Sequence, residues 1–467
     1  MKTLVSGGTV VLENGTCAAD VLIGANGTIE CVASPGSVAG ADEEIDARGL
    51  LVFPGMIDGH SHLNDPGNTE SEDFYTGTCG AAGGGMTTVL EMPQTIPLVD
   101  TLEAFVEKRG IAETKAVVDY GLWGALTIES VSDESAMGAM VSEGAIGFKA
   151  FTTDSPEILL IPDNLLRTGL ARAAELGVPV GVHCEDQEII TYETARLKKL
   201  GRNDPLVNPD SRPPVAEIEA VRRVLLLAEM TGARVHLAHI SLPESVELAR
   251  EAKNRGVAVT VETCGHYFEF TREDTGRIGA YAMCNPPLRE AAACAGMWRL
   301  LASGAIDTIG SDHSTYTEEE KGTTDFWAMP AGISGIQLLF PFVVGEAIRR
   351  GIDPSLLGRM FSANVARVFG LYPRKGVIQP GSDADLTLVE PGAEWVVRSS
   401  DLFTKCPGTP YEGHVIRSRV RRTIVRGTTV FLDDGSGPGR ITVEPGFGQY
   451  LTAGKATASQ ARPGAGR

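Results

Sequence analysis

The sequence is poor in basic residues and has no long hydrophobic run. It contains 41 Lys and Arg residues against 60 Asp and Glu residues, which gives a formal net charge of −19 at pH 7. Proteins that bind nucleic acid or anionic membranes carry a basic surface, so neither is a predicted partner. No stretch approaches the roughly 20 apolar residues of a membrane-spanning helix. The first residues, MKTLVSGGTVVLENG, lack the apolar core of a secretory signal. We therefore expect a soluble, cytoplasmic protein.

The sequence also lacks paired cysteines. Its eight cysteines are spread singly along the chain, and none belongs to a CxxC motif. Disulfide frameworks and structural zinc sites use cysteines in pairs or at short, regular spacings. We expect reduced thiols packed in the protein core rather than a disulfide framework.

Strand-like and helix-like stretches alternate between Leu51 and Gly370. The strand-like runs are 51–58, 86–92, 117–126, 145–151, 178–184, 234–240, 257–263 and 306–311. Two of the helical patterns, 213–232 and 243–256, begin with proline and end with glycine, as helices often do. The alternation predicts the α/β class, with a (β/α)8 TIM-like barrel over 53–370. An open, doubly wound sheet is the alternative.

The two ends of the chain differ from its middle in their sequence pattern. Short alternating strands separated by Asn-Gly and Gly-Gly turns occupy residues 1–52, and a similar pattern occupies 371–451. Neither end is long enough to form a stable β-domain alone. We expect them to combine into one small β-sandwich in which the barrel is inserted. The tail 452–467 is rich in Ala, Gly, Ser and Pro and is predicted to be disordered.

Residues able to bind metal stand at the ends of several predicted strands. They are His60, His62, Lys149, His183, His239 and Asp312. Alternate side chains of a strand share a face, so His60 and His62 can grip one ion together. The C-terminal ends of barrel strands carry the reacting groups in enzymes of this fold. The pattern predicts a two-metal hydrolase centre. The alternative is a set of separate structural roles: hydrogen-bonded strand-end histidines and, for Asp312, a turn or a helix cap.

Lys149 interrupts the apolar strand AIGFKAF. An unpaired ammonium group is costly to bury, so something must compensate for it. One possibility is an ion pair with a neighbouring carboxylate. The other is carbamylation, in which the amine adds carbon dioxide and gains two oxygens that can bridge two cations. The residues alone leave both open.

Three further histidines fit structural roles better than metal binding. His236 is at odd spacing from His239 and therefore faces the other way along the strand. His266 and His313 are also expected to be structural. Glu185 shares a strand face with His183.

The chain resembles the cyclic amidohydrolases, the family of allantoinases, hydantoinases or dihydropyrimidinases, and dihydroorotases. The resemblance covers nearly the whole chain and rests on ordered motifs: PGMIDGHSHL, GFKAF, VHCED, SRPPVAEIEAVRR, HLAHIS, ETCGHYF, CNPPLR, GSDHS, GSDADL and RGTTVF. It implies the amidohydrolase type of barrel and a homotetramer.

The resemblance also implies roles for the strand-end residues. His60 and His62 would hold one divalent ion, usually zinc, and His183 and His239 the other; manganese, cobalt or iron could replace zinc. Lys149 would be an N6-carboxylysine, formed with carbon dioxide, that bridges the ions. Asp312 would be a ligand of the first ion and the catalytic base, while a hydroxide bridging the metals attacks the ring amide.

Departures within the motifs narrow the predicted substrate to a small, neutral cyclic amide. Dihydroorotases carry an arginine and an asparagine that bind the substrate carboxylate, where this chain has Asn64 and Gln94. D-hydantoinases usually have a tyrosine where this chain has Asp154. The motifs run close to the allantoinase pattern, so we expect hydrolysis of allantoin to allantoate. Hydrolysis of 5-substituted hydantoins is the alternative, and a non-enzymatic scaffold of the same fold is a remote one. Asn64, Asn285 and Ala331, in the 329–334 loop, are the expected substrate contacts.

Overall fold

A computed structural model of the protein describes residues 1–155 and 157–453. Residues 454–467 of the predicted tail therefore lie outside the described residues. The strands are β1 (Thr3–Leu12), β2 (Gly15–Ile23), β3 (Ile29–Ala33), β4 (Glu43–Asp46), β5 (Leu51–Pro54), β6 (Met56–Ser61), β7 (Met86–Glu91), β8 (Asp119–Leu122), β9 (Gly124–Ala125), β10 (Phe148–Phe151), β11 (Val180–His183), β12 (Val235–Leu237), β13 (Val259–Cys264), β14 (Thr308–Gly310), β15 (Leu386–Val396), β16 (Val415–Val425), β17 (Thr428–Leu432) and β18 (Arg440–Ile441).

Helices follow most of the strands in the middle of the chain. The α-helices are α1 (Phe74–Gly83), α2 (Leu102–Lys115), α3 (Ile128–Ser132), α4 (Ala136–Ser142), α5 (Asp163–Leu176), α6 (Gln187–Lys199), α7 (Val207–Ser211), α8 (Pro214–Thr231), α9 (Pro243–Asn254), α10 (Arg272–Ile278), α11 (Ala291–Ala302), α12 (Glu318–Lys321), α13 (Leu339–Arg349), α14 (Pro354–Gly358) and α15 (Asn364–Val368). Short 3-10 helices span Gly265–Phe268, Gly279–Ala282 and Ser399–Asp401, and a π-helical turn spans Arg359–Ala363.

The strands from β6 to β14 are arranged as two parallel sheets that meet at both edges. One sheet has the order β6-β7-β8, and the other has the order β9-β10-β11-β12-β13-β14. Only Trp123 separates β8 from β9. At the opposite edge the amide of Asp312 donates to the carbonyl of His60 at 2.9 Å, and the amide of His62 donates to the carbonyl of His313 at 2.8 Å. The end of β14 therefore lies beside the end of β6, which gives a TIM-barrel-like arrangement.

The predicted strand 51–58 is two strands in the structure. Gly55 divides it into β5, which joins a different sheet, and β6. The Gly55 amide donates to the carbonyl of Asp385 at 2.7 Å. A Cβ at this position would lie 2.2 Å from the Thr87 hydroxyl oxygen, so only glycine fits this close approach. In the sequence, a single glycine inside an apolar run does not indicate that one strand ends there and another begins.

The helical patterns at 213–232 and 243–256 are confirmed as α8 and α9. Pro214 is the first residue of α8, where its fixed φ suits a helix start. Gly232 ends α8 with a φ of 71°, the left-handed conformation that closes many helices. Helix α8 packs between α5 and α9.

Strands from both ends of the chain form one nine-stranded sheet. Its order is β18-β17-β16-β15-β5-β1-β2-β3, and β4 pairs with β1. The sheet has its own apolar core, which includes Val5, Val21, Val52, Leu386 and Ile424. The two ends are therefore joined through β5, which pairs with β1 on one side and β15 on the other.

A buried ion cluster ties the terminal sheet to the barrel-like region. The Lys375 Nζ atom lies 2.5 Å from Asp119 at the start of β8, 2.7 Å from Asp385 and 3.0 Å from Asp383. The three carboxylates lie close enough together to hold a cation. Because Lys375 already provides the positive charge, we assign this cluster a structural role.

No helix within 1–155 and 157–453 is both long and apolar enough to span a membrane. All eight cysteines are free thiols, and five of them are buried. This arrangement agrees with the expected absence of a disulfide framework.

Candidate metal centre

The six predicted metal-binding residues lie together at the C-terminal ends of the parallel strands. His60 is in β6, Lys149 in β10 and His183 in β11, while His62, His239 and Asp312 follow β6, β12 and β14. The Asp312 Oδ1 atom is 3.2 Å from His60 Nε2 and 3.4 Å from His62 Nε2. These three side chains form the first half of the centre.

The other half is formed by His183, His239 and Lys149. The His183 Nδ1 and His239 Nε2 atoms are 3.2 Å apart. The Lys149 Nζ atom is 3.4 Å from His60 Nε2 and 3.5 Å from His239 Nε2. Lys149 is thus placed between the two halves and touches both.

The surroundings of Lys149 differ from those of an ion-paired lysine. The side chain is fully buried. None of the salt bridges formed within the described residues includes Lys149; its amine faces imidazole nitrogens instead. Burial lowers the pKa of Lys149 to about 8, although the charges of Asp312 and Glu262 oppose this shift. The lowered pKa raises the fraction of uncharged amine near neutral pH, and the uncharged amine is the form that adds carbon dioxide.

Two buried glutamates orient the imidazoles. Glu262 Oε1 lies 2.7 Å from His60 Nδ1, and Glu185 Oε2 lies 2.8 Å from His183 Nε2. Each carboxylate occupies one ring nitrogen and leaves the other facing the centre, as outer carboxylates do at metal sites. Burial lowers the pKa of His60 to about 4, so its ring is neutral at pH 7. Glu262 was not among the residues predicted from the sequence, although a carboxylate within the apolar strand VTVETC is a signal that could have identified it.

Replacing Glu262 with glutamine should weaken metal binding. The amide cannot accept a charge-assisted hydrogen bond from His60 Nδ1, so the ring loses its fixed orientation and some of its basicity. We expect about 10- to 100-fold weaker metal affinity, measured by competition with a chelator. The exposed Glu188→Gln variant is the matched control. Equal affinities in the two variants would show that Glu262 does not support the centre.

Asp312 is an ionised carboxylate held in an unusual backbone conformation. Burial alone would raise its pKa, but His60 and His62 outweigh burial and hold the pKa at about 2. Its φ is 48°, and His239 and Asn64 also have positive φ values, 38° and 56°. Such strain in non-glycine residues concentrates at functional sites. Three of the four strained non-glycine residues in the described chain belong to this region.

A cavity of about 810 Å³ opens onto the centre. The three predicted substrate contacts, Asn64, Asn285 and Ala331, all line it. Asn64 Nδ2 donates to the Ser71 hydroxyl at 2.9 Å, and Asn285 Oδ1 accepts from Asn208 Nδ2 at 2.9 Å. Both side chains therefore already form a hydrogen bond within the protein.

The cavity loop that contains Ala331 is held by a buried lysine. Lys321 Nζ donates to the carbonyls of Pro330 at 2.8 Å and Gly332 at 3.2 Å. These bonds fix the backbone on both sides of Ala331, so the amide and carbonyl of Ala331 itself are held in a defined position. A substrate contact through the backbone at this point does not depend on the Ala331 side chain.

Three further histidines, His236, His266 and His313, do not line the cavity. His236 bonds Thr260 at 2.8 Å and Glu262 at 3.3 Å. His313 pairs with Glu72 at 3.2 Å, and His266 is buried against the ring of Tyr267. These contacts agree with the structural roles expected for them.

Comparison with known proteins gives consistent matches along the chain. The sequence model of the amidohydrolase family matches residues 51–430. An allantoinase from Rubrobacter xylanophilus is 43% identical over 448 residues, which cover 95% of this chain and 97% of the relative. An allantoinase from Solibacter usitatus is 39% identical, with 96% of each chain covered.

Solved structures of hydantoinases share the fold. The L-hydantoinase (dihydropyrimidinase) from Arthrobacter aurescens superposes with a TM-score of 0.92 at 32% identity, covering 96% of this chain and 99% of that one. The dihydropyrimidinase from Brevibacillus agri gives a TM-score of 0.89 at 31% identity and covers 99% of this chain and 100% of that one.

Proposed function

Because this chain belongs to the amidohydrolase family, we propose that it hydrolyses allantoin to allantoate. The observation that carries this proposal is the similarity to allantoinases, which extends over 95% of the chain at 43% identity. The convergence of the six strand-end residues supports it, because a ring-opening hydrolase needs a group of this kind to activate water.

We propose that the centre holds two divalent ions. His60, His62 and Asp312 would hold one, His183 and His239 the other, and a carbamylated Lys149 would bridge them. The donors fit, because neutral imidazole nitrogens and carboxylate oxygens suit zinc, manganese, cobalt and iron alike; zinc is our first choice. When bound, such ions lower the pKa of water and polarise a carbonyl group.

The residues of the chain have distinct roles in the proposed reaction. Asp312 takes a proton from the attacking water through a carboxylate oxygen and later gives it to the ring nitrogen that departs. One water is consumed, the ring C–N bond breaks, and a carboxylate and a ureido nitrogen are formed. Asn285 and the backbone of the 329–334 loop orient the ring amide. Glu262 and Glu185 hold the imidazoles in the correct orientation, and burial keeps the His60 ring neutral.

The second candidate function is hydrolysis of 5-substituted hydantoins. It is favoured by the close superposition with the L-hydantoinase, at a TM-score of 0.92. The position held by Asp154 is a tyrosine in most D-hydantoinases, which disfavours that subgroup. Dihydroorotate is disfavoured because neither Asn64 nor Gln94 offers a positive charge to a substrate carboxylate.

A side-by-side assay of ring opening decides between these functions. Allantoin, an aryl-substituted hydantoin, dihydrouracil and dihydroorotate are compared by kcat/KM with metal-supplemented enzyme. We expect allantoin to lead by at least about tenfold, a difference of about 1.4 kcal/mol in transition-state binding. A tenfold preference for the aryl hydantoin would overturn the first choice and support the second.

We also propose that the protein is a cytoplasmic homotetramer whose closed (β/α)8 barrel, 53–370, is inserted into a β-sandwich made of 1–52 and 371–451. The hydrogen bonds between the ends of β6 and β14 support closure of the barrel. The family resemblance supports the tetramer, and the mass in solution tests it.

A further inference from the structure

Gln94 stands out among the amide side chains of the cavity wall. It lines the cavity and follows β7 by three residues. Its carboxamide makes no hydrogen bond with any residue in 1–155 or 157–453, and its Oε1 atom is buried without a partner. By contrast, Asn64 donates to Ser71, and Asn285 accepts from Asn208. An amide oxygen buried without a donor is unfavourable, so a ligand that supplied one would be bound more tightly.

The segment that carries Gln94 is well supported. The amide of Met92 donates to the carbonyl of Ser61 at 2.9 Å, which fixes the segment beside the end of β6. After Gln94, the amide of Ile96 donates to the carbonyl of Pro66 at 3.1 Å, and the carbonyl of Val99 accepts from the amide of Ala125 at 2.7 Å. The backbone on both sides of Gln94 is thus anchored. The side chain therefore extends from a fixed backbone, so binding a ligand does not require the segment itself to become ordered.

The strand order places Gln94 across β6 from the proposed ring-binding groups, because β7 is two strands from β14 and three strands from β13. Asn285 follows β13, and Ala331 follows β14. The next strand around the ring is β6, with His60 at its end, and β7 comes after it. A cyclic amide that contacts Asn285 and the Ala331 loop, with its reacting carbonyl at the centre, has its remaining substituent free to extend toward β7.

We propose that Gln94 binds the ureido arm of the substrate, a role that rests on the proposed allantoin hydrolysis. A primary carboxamide is planar and offers an N–H donor beside a C=O acceptor. The terminal part of a ureido group offers the same pair of groups in complementary order. Two parallel hydrogen bonds can form between them once the amide turns to meet the arm. Gln94 is then the specificity-determining residue that separates ureido-substituted hydantoins from those with alkyl arms.

The test compares substrates with and without the arm. Gln94→Leu removes both hydrogen-bonding groups and keeps a side chain of similar size. We expect kcat/KM for allantoin to fall about 10- to 100-fold, as the loss of one to two hydrogen bonds predicts. For 5-methylhydantoin, which lacks the ureido group, the change should be less than about threefold. Gln94→Asn keeps the amide and should recover part of the loss.

Controls separate this proposal from a structural role and from the proposed function itself. Gln379→Leu, in the segment before β15, is the matched variant, and thermal unfolding midpoints report on folding. An equal loss with both substrates, or no loss with allantoin, would overturn the role of Gln94 while wild-type allantoin hydrolysis stands. Wild-type enzyme that opens 5-methylhydantoin but not allantoin would overturn both proposals.

Discussion

Lys149→Ala is expected to abolish ring opening, with a fall in kcat of at least about 1,000-fold. The variant lacks the amine that would carry the bridging carbamate, so the two halves of the centre lose the group that lies between them. Lys149 Nζ is within 3.5 Å of both His60 Nε2 and His239 Nε2. We also expect metal content to drop below two ions per chain, measured by elemental analysis after gel filtration.

Chemical rescue makes this experiment specific for a carboxylate bridge. The missing side chain leaves space in a buried site, and a small carboxylate such as acetate or propionate can supply the two oxygens there. We expect partial recovery of activity by these acids when metal is present. The exposed Lys199→Ala variant is the control for loss of a lysine charge. A Lys149→Ala enzyme that keeps two ions and works within tenfold of wild type would refute the bridging role.

Wild-type protein offers a parallel test of the modification. Metal-free enzyme is reconstituted with zinc in buffer that is depleted of carbon dioxide or supplemented with bicarbonate. If Lys149 must be carbamylated, activity should return faster and further with bicarbonate. Mass spectrometry under native conditions should then show one added carbon dioxide per chain. Identical recovery in both buffers would favour an unmodified lysine.

Asp312→Asn is expected to lower kcat by about 1,000- to 10,000-fold. Asparagine has nearly the same shape, but it cannot accept a proton from water near neutral pH. Asp312 also lies 3.2 Å from His60 Nε2 and 3.4 Å from His62 Nε2, so the substitution removes a negative charge from the first half of the centre. Substrate binding should be less affected than kcat, because the base acts in the chemical step.

The control for Asp312→Asn is Asp42→Asn, an exposed position in the terminal sheet region. Metal content of the Asp312→Asn enzyme separates the two roles of the carboxylate. If two ions remain bound while kcat falls, the fall in kcat is due to the missing proton acceptor. If one ion is lost, the fall in kcat is due to the missing metal ligand. A kcat within tenfold of wild type would rule out Asp312 as the base.

Local patterns in the sequence predicted much of the fold and of the centre. Apolar strands between amphipathic helices are short-range features, so the alternation along the chain reported the order of elements without knowledge of their packing. The candidate ligands His60, Lys149 and Asp312 could be recognised because each is a polar group at or near the end of an apolar strand. A TIM-barrel-like fold brings such ends together at one face, and the structure has them there.

Other features were decided only by residues that are far apart in the chain. Glu262 contacts His60 across 202 positions, and no local pattern connects them. The division of one apolar run at Gly55 depends on the close approach of Thr87 and Asp385.

The difference between Asn64 and Gln94 also depends on residues that are far apart in the chain. Both are carboxamides after neighbouring strands, yet only Asn64 finds partners in Ser71 and Thr315. The sequence by itself determined which residues could take part in catalysis, because residue type and strand register are local properties. Which of those polar groups stay free to meet a substrate was decided by the tertiary structure, because hydrogen-bond partners come from distant segments.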